Sequence, residues 1–425
     1  MEFKTIENKV IKEKILWGTH ESGLKVYIIP KIGFSKYYAI YGTDYGSLDT
    51  EFIASGETEK TILPDGIAHF LEHKLFEEED GKNAVDRFSV TGANANAYTS
   101  FDITAYLFSC TDKFYENLEI LLDFVNHPHF TDENVEKEQG IIGQEIKMYD
   151  DDPGWRLFFN MLGAMYHNNP VKIDIAGTVD SIAKIDDKLL YECYNTFYNP
   201  SNMFICVAGN VKTDKLLEQI KNGMKSTELV TVKSATFEEQ KEVKKHYVEQ
   251  SLEVAKPLFC LGFKDVFEGE RTSLKARTVA GITLEYLCGD CSKLYRRLLS
   301  LGLIDNEISA EHFQGEGYSA FIIEGESDNP KAVAEEIKNE IKELINCGID
   351  KRLLDAIKKA AYGDAVKRFD STDSIVTDMI DCAISGGGLF DAAEILREVS
   401  ENDIVECLKK FTDEAVVLSV INPKS

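Results

Sequence analysis

The sequence predicts an α+β protein made of two homologous halves. Strand and helix patterns mix without regular βα alternation, which favours α+β layers with antiparallel-rich sheets over a parallel doubly wound sheet. The order of elements in the first half recurs in the second, at about 210 residues per copy. At 425 residues the chain is too long for one ordinary core, so two domains are expected.

The elements follow in order. "LKVYIIP" (24–30) and "YYAIYGTDYGS" (37–47) are apolar, β-branched and aromatic, and read as strands. A helix is predicted over 64–78, with Pro64 near its first turn. "VDRFSVTGA" leads into the strand pair "ANAYTS" and "TAYLFSC". In "KFYENLEILLDFVNHP" (113–128), Phe114, Leu118, Leu121, Leu122 and Val125 share one helical face. A further helix over 131–149 starts at Thr131 or Asp132 and stops at the Asp run "YDDDP", read as a solvated loop. "LLYECYNTFYNP" is a helix ended by Asn199-Pro200, and "NMFICVAGNV" (202–211) is a continuous apolar strand. The second half opens with the strand "SLEVAKPLFCLGFKD" (251–265), continues with helical stretches at 272–301 and 330–347 and the strand "SAFIIEGES", and closes with "EAVVLSVINP" (414–423). The expected division is 1–211 for the N-terminal domain, a Lys/Glu/Thr-rich linker at 212–248, and 249–425 for the C-terminal homologous domain.

Composition narrows the function. A formal net charge of −26 disfavours nucleic acid as a partner, because phosphate binding needs clustered Lys and Arg. No apolar run approaches the roughly eighteen residues of a membrane span, and the acid-containing N-terminus does not read as a secretory signal. Nine cysteines, an odd and scattered set, suggest reduced thiols in a cytoplasm. "CGDC" (288–291) has no second pair and reads as thiols in a helix and its end.

The stretch that carries chemistry is "GIAHFLEHKLFEE" (66–78). His69, Glu72 and His73 are spaced i, i+3, i+4 and share a helical face. Two neutral imidazoles there can grip one metal ion, with Glu72 beside them to take a proton from a metal-bound water. The pattern H-x-x-E-H is the inverzincin motif. A catalytic zinc needs a third protein ligand. The helix at 131–149 offers Glu138 and Glu145, seven apart and on one face. Elsewhere, "NHPHF" reads as a connecting loop, and "ISGGGLF" (384–390) as a break between helices rather than a phosphate loop.

Taken together these segments resemble the pitrilysin/insulinase family of zinc peptidases, which includes the mitochondrial processing peptidases. The resemblance rests on "HFLEH" with "KLFEE", "GANANAYTSFDITAYLF" (92–108), "HPHFTDENVEKEQGIIGQEI" and "YNPSNMFICVAGNV", in that order. It implies a clam-shell of two homologous LuxS/MPP-like metalloprotease domains. It implies Zn2+ held by His69, His73 and Glu145, with Glu72 as general base and Glu138 in a supporting role. It matches Asn96 and Ala97 to the edge strand that holds an extended peptide by backbone pairing. The family also uses an Arg and a Tyr, seven residues apart. In "SKLYRRLLSLGLID" Arg296 falls on the Arg position, but Leu303 stands where the Tyr would be and cannot donate a hydrogen bond. The resemblance therefore implies a cytoplasmic zinc endopeptidase acting on peptides or unfolded segments. It leaves open the catalytic half of a heterodimer that matures one small peptide, with a partner subunit supplying the Arg/Tyr pair. A non-catalytic assembly subunit is the remaining alternative.

Overall fold

A computed structural model describes residues 3–53, 59–224, 232–234, 237–265, 272–306 and 308–424. The chain divides into two compact units: Met1–Ile146, Asp174–Ala235 and Lys367–Ile384 in the first, and Lys147–Ile173, Thr236–Val366 and Ser385–Ser425 in the second.

The first unit is built on a seven-stranded sheet. Its strands are β1 (Lys4–Asn8), β2 (Glu13–Thr19), β3 (Lys25–Pro30), β4 (Tyr37–Thr43), β5 (Asn94–Thr99), β6 (Thr104–Cys110) and β7 (Met203–Gly209), in the order β1-β2-β3-β7-β4-β6-β5. Every residue of β7 is buried, which explains its unbroken apolar sequence. β3 and β7 are parallel; β7–β4, β4–β6 and β6–β5 are antiparallel.

The second unit repeats this topology. Its strands are β8 (Tyr247–Leu252), β9 (Leu258–Lys264), β10 (Ser309–Gly315), β11 (Tyr318–Glu326) and β12 (Val416–Pro423), in the order β8-β12-β9-β11-β10. β8 and β12 are parallel and the other pairs antiparallel, so β8 to β12 match β3 to β7 one for one. The duplication legible in the sequence is thus a duplication of strand pairing.

The helices follow the same scheme. α1 (Ile67–Leu75) and α2 (Ala84–Thr91) lie between β4 and β5 in the chain, and α3 (Phe114–Asn126), α4 (Asp132–Asp151) and α5 (Pro153–Met165) follow β6. In the second copy, α6 (Leu274–Cys288) and α7 (Lys293–Ser300) precede β10, and α8 (Pro330–Cys347), α9 (Lys351–Lys367) and α10 (Thr372–Ser385) follow β11. The long helical stretch expected at 272–301 is two helices, because Ser292 caps a new start by accepting from Tyr295 N–H.

Further features differ from the sequence reading, among them the strand expected at 251–265, which covers only Leu258–Lys264 and the end of Tyr247–Leu252. "YDDDP" is not a loop: Asp150 and Asp151 continue α4, while Asp152 caps α5 by accepting from Trp155 N–H at 2.7 Å. The units also do not follow a linear division at 211 and 249. α5 belongs to the second unit, and Lys367–Ile384, with most of α10, belongs to the first. Gly262 of β9 lies directly beneath the α5 methionines. A Cβ there would stand 2.7 Å from both Met161 Sδ and Met165 Cε. An apolar helical face declares that it is buried, but not which sheet buries it. Within 212–248 the structure has a helix at Thr213–Gly223 and a short strand at Lys233–Ser234; residues 225–231, 235 and 236 of that stretch lie outside the described residues.

Candidate active site

α1 begins abruptly. Gly66 caps it with φ +90°, and a Cβ on Gly66 would meet the Ala176 carbonyl oxygen at 2.4 Å. Ile67, Ala68, Phe70, Leu71 and Leu75 anchor the helix in the core, and His69, Glu72 and Lys74 are buried with them. Buried polar groups need partners, and α4 and β5 supply them.

Glu145 of α4 faces both histidines. His73 Nε2 lies 3.4 Å from Glu145 Oε2, and His69 Nε2 lies 3.8 Å from Glu145 Oε1. One donor atom from each of the three falls within 4.8 Å of the others. Two ligands of a tetrahedral zinc, each bonded at ~2.1 Å, stand ~3.4 Å apart, close to the two distances from Glu145 to the histidines.

The donor chemistry also fits. Burial drives the His69 imidazole down to about 4, helped by the neighbouring His73, so the imidazole is neutral at pH 7. Its Nδ1 is buried with no hydrogen-bond partner among the described residues. His73 Nδ1 is 3.2 Å from Glu138 Oε1, which leaves Nε2 turned toward Glu145. Burial works against a charge on His73. The Glu138 hydrogen bond, with Glu72 and Glu145, outweighs it and raises the imidazole above its ordinary value. This cluster of acceptors favours a bound cation.

Glu72 sits to one side of these donors. Its Oε2 accepts a 2.7 Å hydrogen bond from Thr99 Oγ1. Burial raises its carboxyl above the usual range, with Thr99 and His73 opposing. A carboxyl raised in this way is able to accept and return a proton. Thr99 in turn lies 3.4 Å from Thr104 Oγ1, which donates to the Tyr45 carbonyl at 2.9 Å.

Strand β5 is an edge of its sheet. Ser100 N–H bonds to Ile103 O, so alternation along the β5–β6 ladder turns the backbone groups of Ala95, Ala97 and Thr99 outward. The side chains alternate too: Asn94, Asn96 and Tyr98 are exposed, whereas Ala95, Ala97 and Thr99 form the half-buried face that meets α1. Asn96 Oδ1 accepts from its neighbour's Ala97 N–H at 2.9 Å and so covers that edge donor.

Arg296 belongs to the second unit, where it is exposed on α7. Its neighbour Arg297 is the paired one, bonded to Glu336 at 2.8 Å and Glu340 at 2.6 Å. Tyr318 is buried and packs on Phe313 at 4.8 Å between ring centroids.

No motif in the sequence singles out Thr99 or Lys74. The period of two in "NANAYT" was the available signal for Thr99. For Lys74 it was the lone lysine inside an otherwise buried helix.

Known proteins resemble this chain over nearly its whole length. Residues 52–179 match the family described as insulinase (peptidase family M16), and residues 184–361 match the peptidase M16 inactive domain. The uncharacterized zinc protease YmfH of Bacillus subtilis is 39% identical over 99% of this chain and 100% of its own length. The uncharacterized zinc protease YmxG of the same organism is 26% identical over 76% of this chain and 79% of its own. An M16-like peptidase structure from Alicyclobacillus acidocaldarius superposes with a TM-score of 0.91 at 31% identity, covering 100% of this chain and 99% of that one. A protease structure from Helicobacter pylori shares the fold, with a TM-score of 0.84 at 20% identity over 97% of this chain and 100% of that one.

Proposed function

The chain belongs to the insulinase family of peptidases, family M16, and on that premise we propose that it is a zinc-dependent endopeptidase using His69, His73 and Glu145 as ligands and Glu72 as general base. The observation that carries this reading is the convergence of the His69, His73 and Glu145 donor atoms within 4.8 Å, with Glu72 alongside. Bound zinc would supply Lewis acidity, making a water molecule acidic near neutral pH and polarising a peptide carbonyl.

The chain's own residues do the rest. Neutral His69 and the Glu138-oriented His73 present lone pairs, and Glu145 adds charge. Thr99 occupies Glu72 Oε2, so Oε1 is the oxygen that takes the proton from the attacking water and returns it to the leaving amine. The outward backbone groups of β5 pair with the substrate as an added strand, so substrates are peptides or unfolded segments able to extend.

The decisive experiment is zinc content and cleavage of a quenched-fluorescence peptide by the wild type and by Glu72→Gln. The variant should keep zinc and lose turnover, and 1,10-phenanthroline should silence the wild type. A wild type that binds no zinc at micromolar concentration would overturn the proposal.

One observation favours a narrower version. Leu303 occupies the Tyr position, and Tyr318, further along the chain, is buried. We therefore infer a catalytic half whose partner subunit provides the hydroxyl for the developing oxyanion. Full activity of the isolated chain on generic peptides would remove that version. For location we propose the cytoplasm, in keeping with nine unbridged cysteines. No described helix is long and apolar enough to cross a membrane.

A further inference from the structure

Lys74 follows the second histidine of the motif, and its side chain is fully buried, at 0% exposure. An ammonium is expensive to bury unless it is paired. Here two carboxylates meet it: Glu77 Oε2 at 2.5 Å, one turn further along, and Glu138 Oε2 at 3.6 Å on α4. Glu138 spends its two oxygens on different partners, Oε2 on Lys74 and Oε1 on His73 Nδ1. The four residues form one chain of contacts, Glu77–Lys74–Glu138–His73, that ends on the nitrogen opposite the proposed metal-binding Nε2.

We propose that Lys74 is a positioning residue of the metal centre: anchored by Glu77, its ammonium holds Glu138 in the rotamer that orients the His73 ring toward Glu145. This rests on reading His73 as a zinc ligand. The competing explanation is that Lys74 only neutralises two acids under the helix. The two differ in sign. As a bare positive charge near a divalent cation, Lys74 weakens metal binding, so removing it should tighten zinc. As a positioning residue acting through Glu138, it strengthens binding, so removing it should loosen zinc.

The test is zinc affinity, measured by competition with a chromophoric chelator, for the wild type, Lys74→Met, Glu138→Leu and the double variant. Methionine keeps the length and burial of the lysine stem. We expect Lys74→Met to weaken zinc ~10-fold and Glu138→Leu 10- to 100-fold, roughly the range for groups supporting a ligand histidine. The double variant should match Glu138→Leu to within about twofold, because Lys74 has nothing left to act on. Thermal melting of the metal-free proteins checks that each is folded. Should Lys74→Met not fold, Glu77→Gln releases the anchor while leaving the lysine, and should weaken zinc as well.

Unchanged or tighter zinc binding in folded Lys74→Met overturns the proposal. So does a Lys74→Met effect that persists in full on the Glu138→Leu background. A wild type that binds no zinc would instead defeat the peptidase reading itself, and this inference with it.

Discussion

Thr99 Oγ1 donates a 2.7 Å hydrogen bond to Glu72 Oε2, tying the edge strand β5 to the motif helix α1. One bond thus links the strand proposed to hold the substrate with the carboxylate proposed to move the proton. Thr99→Val keeps the shape and removes the donor. We expect kcat to fall ~10-fold, the equivalent of one hydrogen bond to a charged group, with zinc content unchanged. Thr99→Ser should stay near wild type. Steady-state kinetics on one peptide, with metal analysis of each preparation, checks this.

Zinc should stabilise the folded chain through the His69, His73 and Glu145 cluster. At a free metal concentration about 100 times Kd, the gain is about 2.7 kcal/mol, visible as a rise in melting temperature. Glu145→Ala should abolish the rise, and Glu72→Gln should keep it. Calorimetry with and without added zinc distinguishes the ligand from the base.

Gly66→Ala should disturb the start of α1. The φ of +90° disfavours any side chain, and the Ala176 carbonyl lies 2.4 Å from the added methyl. A loss of about 2 kcal/mol or more is expected. Chemical denaturation of the metal-free protein measures it. Because His69 and His73 ride on this helix, zinc affinity should fall in parallel.

Glu239 gives the second unit an acid-sensitive staple. It accepts from Lys264 Nζ at 2.7 Å and from the backbone N–H groups of His167, Asn168 and Asn169 at 2.9, 2.8 and 2.9 Å. Burial pushes its carboxyl up, but these donors outweigh it and hold it at about 2, below its ordinary 4.5. A depressed pKa contributes stability above 4.5 that disappears as pH falls toward 2. Glu239→Ala should cost about 2 kcal/mol at pH 7, and the gap to wild type should narrow steadily below pH 4.5. Denaturant midpoints at several pH values follow it.

The order of elements was legible because periodicity and punctuation are local. Phe114 to Val125 announce α3, and the all-apolar β7 announces a central strand. "YDDDP" misled because Asp151 and Asp152 lie one residue apart yet serve two helices, one as a last turn and the other as a cap. The exchange of α5 and α10 between units left no trace in either helix's own pattern. Burial of a face is local information, whereas the identity of the covering sheet is not.

The sequence by itself determined the motif's chemistry. Spacing of i, i+3, i+4 places His69, Glu72 and His73 on one face of any helix, whatever surrounds it. The duplicated order of strands was likewise written in the chain. Tertiary structure alone decided how the two acids of α4 divide their work. Glu138 and Glu145 are both glutamates on one helical face, and only the packing of α4 against α1 sets Glu145 at the Nε2 atoms and Glu138 at His73 Nδ1. It also brought Thr99 under Glu72 and Lys74 under Glu138. These contacts join residues 27 and 64 positions apart, and no local pattern encodes a distance that the fold alone closes.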